Sequence, residues 1–83
     1  MQVAVCVKMP KWHLAMKDGK ITRWFKQEGE SIDKGQDLFE VEAEESLRKV
    51  ESPAGGRLSQ IFIPAGKSAP VKVVVAILAE PGE

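Results

Sequence analysis

The sequence has few of the residues from which catalytic and metal sites are built. Its 83 residues include one cysteine, one histidine and no tyrosine. A single cysteine cannot form an internal disulfide, and one cysteine with one histidine gives too few ligands for a structural zinc site. We therefore predict no metal. We also predict that Cys6 is a small apolar residue buried in a strand rather than a reactive thiol.

The chain also lacks an excess of charge of one sign and any long hydrophobic run. Twelve basic and twelve acidic side chains cancel, so we expect neither nucleic acid nor an anionic membrane as a partner. The longest apolar run, Val73 to Ala79, is too short to span a membrane, and the first ten residues lack a signal-peptide pattern. These absences predict one small domain in the cytoplasm or another reducing intracellular compartment.

Alternating apolar residues and regularly spaced turns predict an all-β fold. No stretch has a helical stripe, whereas Val3, Val5 and Val7 alternate with other residues, and turn-forming pairs such as Asp18-Gly19 and Lys34-Gly35 recur. Many short strands indicate a sandwich or barrel. The predicted strands cover residues 3–8, 20–27, 31–33, 37–43, 47–51, 57–63, 67–70 and 73–79.

An internal repeat divides the chain into two similar halves. The segments that begin at Gly19 and Gly56 align with an offset of 37, and they predict half-repeats of about 19–42 and 56–80 joined by a hairpin turn at 43–47. The pairs Ile21/Trp24 and Leu58/Ile61 break strict alternation and predict equivalent bulges. Because Lys72 stands where the first half has Gly35, we expect the second small turn to close differently. Residues 1–80 would form the domain, and 81–83 would begin a linker.

The segment from Met9 to Glu42 followed by "VESPAGG" resembles the lipoyl domains of dihydrolipoamide acyltransferase components of 2-oxo acid dehydrogenase complexes. Its "MPKW" opening is most similar to the acetoin dehydrogenase versions. Biotinyl carrier domains share the frame but lack such an opening. The resemblance implies a flattened barrel, or barrel-sandwich hybrid, of two four-stranded antiparallel sheets with pseudo-two-fold symmetry. It also implies a lysine at the central hairpin tip that carries lipoate.

The position of the modified lysine in that family, eight residues before Pro53, holds Glu45, flanked by Glu44 and Ser46. A carboxylate cannot form an amide with the carboxyl group of lipoate or biotin, so we predict no cofactor on this sequence. Lys49 is the nearest substitute, but a turn centred on Glu44 and Glu45 would place it on a strand, opposite Glu40, with Glu42 opposite Leu47. A charge pair with Glu40 is the expected role of Lys49.

Three groups of residues have alternative interpretations. The acidic side chains could form a patch that a partner enzyme recognises or a solvated face: Glu40, Glu42, Glu44, Glu45 and Glu51. Trp12, His13 and Glu42 are possible partner contacts, although a solvent-facing loop histidine is the simpler interpretation of His13. Trp24, Phe25 and Phe39 are expected to pack in the core.

Two functions remain open. The first is a lipoyl-type carrier domain of an acyltransferase chain that is not lipoylated at Glu45 and acts as a docking or spacer copy. By resemblance, its partners would be the decarboxylase, dihydrolipoamide dehydrogenase and a lipoate-attaching enzyme. The second is a non-covalent structural or adaptor module on the same barrel. We predict no enzymatic activity for the domain itself, because the sequence contains no motif for a nucleophile, metal or phosphate, and we expect a monomer.

Overall fold

A computed structural model describes residues 4–12 and 14–79 of the chain. Within this part of the chain the regular structure consists of eight β-strands. Each predicted strand is present, with ends that differ by three residues or fewer. The strands are β1 (Ala4–Lys8), β2 (Asp18–Trp24), β3 (Ser31–Ile32), β4 (Asp37–Ala43), β5 (Ser46–Glu51), β6 (Gly56–Ile61), β7 (Ser68–Pro70) and β8 (Val74–Ala79).

The strands form two four-stranded antiparallel sheets. One sheet has the order β1-β8-β6-β3 and the other β5-β4-β2-β7. Alternate residues of each strand face the space between the sheets, and the central strands supply most of the core. The predicted all-β class with two four-stranded sheets is confirmed. In the part of the chain that the structure describes, no helix is long and apolar enough to cross a membrane.

The core between the sheets is built from aliphatic side chains around one aromatic ring. Phe39 is fully buried, and its ring centroid lies 4.8 Å from that of Trp24, which packs half-buried against the core. The Trp24 indole Nε1–H donates to the Ile63 carbonyl at 3.0 Å, so its one polar atom is satisfied. Gly19 lies against this core where no side chain fits, because a Cβ there would come within 2.6 Å of Val41 Cγ1.

The two halves of the chain repeat each other's backbone irregularities. The β2–β4 register shifts between Ile21 and Arg23, and the β6–β8 register shifts between Leu58 and Gln60, 37 positions later. The predicted equivalent bulges are therefore confirmed. The Gly29 N–H donates to the Leu58 carbonyl, and the Gly66 N–H donates to the Ile21 carbonyl, both at 2.7 Å.

The prediction that the second small turn closes differently from the first is wrong. Lys72 has a φ of 74°, close to the 90° of Gly35. The Gly35 N–H donates to the Ser52 carbonyl at 3.0 Å, and the Lys72 N–H donates to the Met9 carbonyl at 2.9 Å. Backbone hydrogen bonds hold the lysine in a left-handed conformation that favours glycine.

The predicted burial of Cys6 is also wrong, because its side chain is exposed. Cys6 does lie in β1, as expected, but Val5 and Val7 on either side of it face the core. In a strand with a period of two, the residue between two inward-facing residues must point outward.

Candidate functional site

The central hairpin ends in a two-residue turn formed by Glu44 and Glu45. Ala43 pairs with Ser46, so the strands β4 and β5 are joined by these two glutamates alone. Their φ values of 52° and 63° are both left-handed, as a type I′ turn requires. Asn-Gly and Asp-Gly are the residues that such turns prefer, and a left-handed conformation costs other residues roughly 1–2 kcal/mol each. The hairpin therefore holds the two carboxylates in a conformation that glutamate does not favour.

The pairing below the tip agrees with the register predicted from Pro53. Glu40 lies opposite Lys49, and Glu42 lies opposite Leu47. The Thr22 hydroxyl donates to Glu40 Oε1 at 2.7 Å, and the Lys49 ammonium lies 5.8 Å from the centroid of the Phe25 ring. Lys49 thus lies on the face of a strand and contacts an aromatic ring, at some distance along the chain from the tip.

Phe25 lies just after the end of β2 and is half-buried. The Arg23 guanidinium is 5.1 Å from its ring centroid, close enough with the Lys49 ammonium for cation–π attraction. Phe39 and Trp24 occupy the core positions predicted for them. The prediction that Phe25 also packs in the core is wrong, because its half-buried ring lies outside the core cluster and contacts these two cations.

Trp12 connects the loop after β1 to the hairpin. Its ring packs against the core, and the Arg48 guanidinium lies 5.3 Å from the ring centroid. Arg48 lies opposite Val41, which is fully buried, so Arg48 projects from the inner side of the edge strand toward Trp12. His13, predicted as a neighbouring contact residue, lies outside the described residues.

The five acidic residues that the sequence suggested as a patch occupy different environments. Glu42, Glu44 and Glu45 are exposed at or beside the tip, together with the exposed Ser46. Glu40 is half-buried and bonded to Thr22, and Glu51 lies at the far end of β5, opposite Asp37. The tip therefore displays three carboxylates, and the remaining two belong to the root of the hairpin.

The contacts made by Thr22 and Arg48 were not predicted from the sequence. The Ile21/Trp24 spacing did indicate a bulge, and Thr22 lies within it, which directs its hydroxyl toward Glu40. Arg48 had no sequence signal, because its partner Trp12 is remote in the chain. Among residues 4–12 and 14–79, no three histidine, cysteine, aspartate or glutamate side chains are arranged to hold a metal ion.

The sequence matches the biotin/lipoyl family model, described as "Biotin-requiring enzyme", over residues 5–78. It is 37% identical over 78 residues to the dihydrolipoyllysine-residue acetyltransferase component of the pyruvate dehydrogenase complex of Rickettsia typhi, a match that covers 93% of this chain and 19% of that protein. It is 36% identical over 72 residues to the corresponding component of the acetoin cleaving system of Pseudomonas putida, covering 87% and 20%. The chain thus spans about one fifth of the length of these relatives.

Solved structures share the fold. The lipoyl domain of the 2-oxoglutarate dehydrogenase complex from Azotobacter vinelandii superposes with a TM-score of 0.78 at 22% identity, covering 94% of this chain and 99% of that one. A single-chain, multi-domain long-chain acyl-CoA carboxylase gives a TM-score of 0.76 at 14% identity, covering 95% and 7%. At these identities the likeness establishes the barrel alone.

Proposed function

Because the chain belongs to the biotin/lipoyl family, we propose that it is a carrier-type domain of an acyltransferase component in a 2-oxo acid or acetoin dehydrogenase complex. We further propose that its tip cannot be acylated at the usual position. The names of the curated relatives support the first statement. The side chain of Glu45 carries the second, because it stands at the tip where this family attaches its cofactor.

The tip residues do not fit a covalently attached lipoyl or biotinyl group. Attachment needs an amine that forms an amide with the carboxyl group of the cofactor, and Glu44 and Glu45 supply only carboxylates. Ser46, the next residue, is the first residue of β5 and has a hydroxyl group. We therefore assign no cofactor to this tip.

Lys49 is a poor replacement for a tip lysine. It lies within β5 opposite Glu40, and its ammonium lies over the Phe25 ring. An attaching enzyme that receives an exposed turn would have to accept the side of a paired strand and displace this contact. The domain is thus a copy that docks partner enzymes or spaces neighbouring domains without carrying an acyl group. By family resemblance those partners are the decarboxylase and dihydrolipoamide dehydrogenase.

Intact-mass measurement tests this proposal directly. The domain is incubated with lipoate, ATP and a lipoate-attaching enzyme that modifies an authentic lipoyl domain in the same reaction. The original chain should gain no lipoyl group, and E45K should gain one. The matched variant E45K/K49R should also gain one, because Lys49 is not the acceptor. A lipoyl addition on the original chain would overturn the assignment of an unmodifiable tip.

A second candidate is a non-covalent adaptor that has no link to oxidative decarboxylation. The observation that favours it is the same tip, which presents carboxylates beside the exposed side chain of Leu47 in place of an amine. A correctly folded E45K that the attaching enzyme refuses would favour the adaptor. An E45K that is lipoylated and then reductively acylated by a decarboxylase would favour the carrier ancestry.

A further inference from the structure

The turn at Pro70–Val73 closes against the loop that follows β1 and brings several lysines together. The Met9 N–H donates to the Val73 carbonyl and the Lys72 N–H to the Met9 carbonyl, both at 2.9 Å. The Val71 N–H donates to the Lys17 carbonyl at 3.0 Å. These three bonds place the backbone of Lys72 beside Met9, the residue that follows Lys8, and the backbone of Lys17 beside Val71, the residue that precedes Lys72.

The lysines of this region are exposed, and two apolar residues near them in the chain are exposed as well. Lys8, Lys17 and Lys72 are exposed, as is Lys11 in the same loop. Leu14, between Lys11 and Lys17 in the chain, is 95% exposed, and Val73, next to Lys72, is 38% exposed. We call the surface made by these six residues the lysine face.

The equivalent region in the first half of the chain does not repeat the positive charge of the lysine face. The equivalent turn of the first half contains Asp33 and Gly35, the latter in the position of Lys72. That turn bonds to the segment after β5, which ends in Glu51, whereas β1 ends in Lys8. Asp33 and Lys34 cancel within the first-half turn, so Glu51 leaves that region negative, whereas Lys8 and Lys72 are both positive. Of the two regions, only the one with Lys72 also presents exposed leucine and valine side chains.

We propose that the lysine face docks an acidic segment of a partner protein that carries apolar side chains among its carboxylates. The lysines supply charge complementarity, which steers association and makes it salt-dependent. Leu14 and Val73 supply apolar area that a protein segment can cover and that a phosphate backbone cannot. Asp18 follows Lys17, and Glu51 lines the same groove as Lys8, so the positive surface is short and fits a short segment.

This docking surface is independent of the tip. It involves neither Glu44 nor Glu45, and it would serve the domain whether or not the tip carries a cofactor. Absence of peptide binding would therefore not affect the proposal that the tip is unmodifiable. Lipoylation of the original chain would likewise not affect the proposed docking surface.

Fluorescence anisotropy with a labelled synthetic peptide of alternating glutamate and leucine tests the proposal. The peptide should bind the domain, and the affinity should fall as the salt concentration rises. K72G should weaken binding about two- to fivefold, the range of an exposed ion pair. Its fold should persist, since Gly35 adopts the same turn. K34A, which removes a lysine from the equivalent turn, is the matched control and should bind like the original chain.

Two further arms decide the class of partner. L14S should weaken peptide binding, and a DNA duplex of equal charge should bind more weakly than the peptide. Amide shifts on titration should centre on Lys17, Val71 and Lys72. If K34A weakens binding as much as K72G, or if DNA binds as well as the peptide and L14S has no effect, the proposed docking surface is wrong. Failure of the peptide to bind at low salt would overturn it as well.

Discussion

The turn at 33–36 and the turn at 70–73 have the same backbone and different surfaces. The Gln36 N–H donates to the Asp33 carbonyl at 3.1 Å, and the Val73 N–H donates to the Pro70 carbonyl at 3.3 Å. Gly35 and Lys72 occupy the left-handed position in each turn. The main-chain contacts therefore maintain the conformation even where the residue is unfavourable, and the side chains are free to differ.

The same separation of frame and surface applies to the central hairpin. Its register and its two-residue turn are those expected of a tip that displays a side chain, yet the displayed side chains are carboxylates. The proposed absence of a lysine at position 45 would thus leave the backbone geometry of the hairpin unchanged.

The largest effect should come from a residue that breaks the symmetry of the core. Phe39 is fully buried, and its equivalent 37 positions later is the buried Ala76. F39A should lower the free energy of unfolding by about 3–5 kcal/mol, because it leaves a cavity that the small side chain of Ala76 cannot fill. Urea denaturation measures this loss. The control F62A removes a ring that is 44% exposed and should cost far less. Equal losses would show that the two rings contribute alike.

A smaller loss of stability is expected from adding a side chain at Gly19, which lies in close contact with the core. G19A would place a methyl group 2.6 Å from Val41 Cγ1 and 3.0 Å from Met9 Sδ. Overpacking of this kind costs about 1–3 kcal/mol, measured as a lower urea midpoint. The control is G55A, whose Cβ would meet its nearest atom at 3.7 Å, an ordinary contact. A neutral G19A would mean that the side chains of Val41 and Met9 move aside at little cost.

The smallest effect comes from exchanging residues between the two turns. G35K should lower the free energy of unfolding by about 1 kcal/mol, because a side chain enters the left-handed region. K72G should raise it by up to about 1 kcal/mol, since relief of strain is partly offset by the flexibility of glycine in the unfolded chain. Thermal unfolding of both variants measures the pair. Opposite signs are expected, and destabilisation by K72G would show that Lys72 has contacts that stabilise the turn.

The fold was predictable because its signals are local. Turn-forming pairs that contain glycine and alternating apolar residues located the strands. Pro53 gave the register that places Lys49 opposite Glu40. One error has a local cause and the other a long-range cause. The burial of Cys6 was inferred from its apolar surroundings, although alternation with Val5 and Val7 directs it outward. The left-handed Lys72 was missed because its conformation is held by a hydrogen bond to Met9, which lies in the loop after β1 and is remote in the chain.

The candidate site was only partly predictable. The tip residues could be identified by counting back from Pro53. The Trp12–Arg48 contact could not be predicted in this way, because it forms only when the loop and the hairpin are folded together. The exposure of Leu14 beside the lysines likewise follows from the folded turn and not from any motif. Long-range contacts of this kind leave no periodic signal in the chain.

The most direct test of the central claim compares E44K with E45K as substrates of a lipoate-attaching enzyme, followed by peptide mapping of the modified residue. Both variants place one lysine in the same two-residue turn, so they differ only in position. We predict that E45K is lipoylated at residue 45, that E44K is modified far more slowly, and that the original chain is not modified. Lipoylation of the original chain, or preferential modification of E44K, would contradict the claim that Glu45 occupies the attachment position.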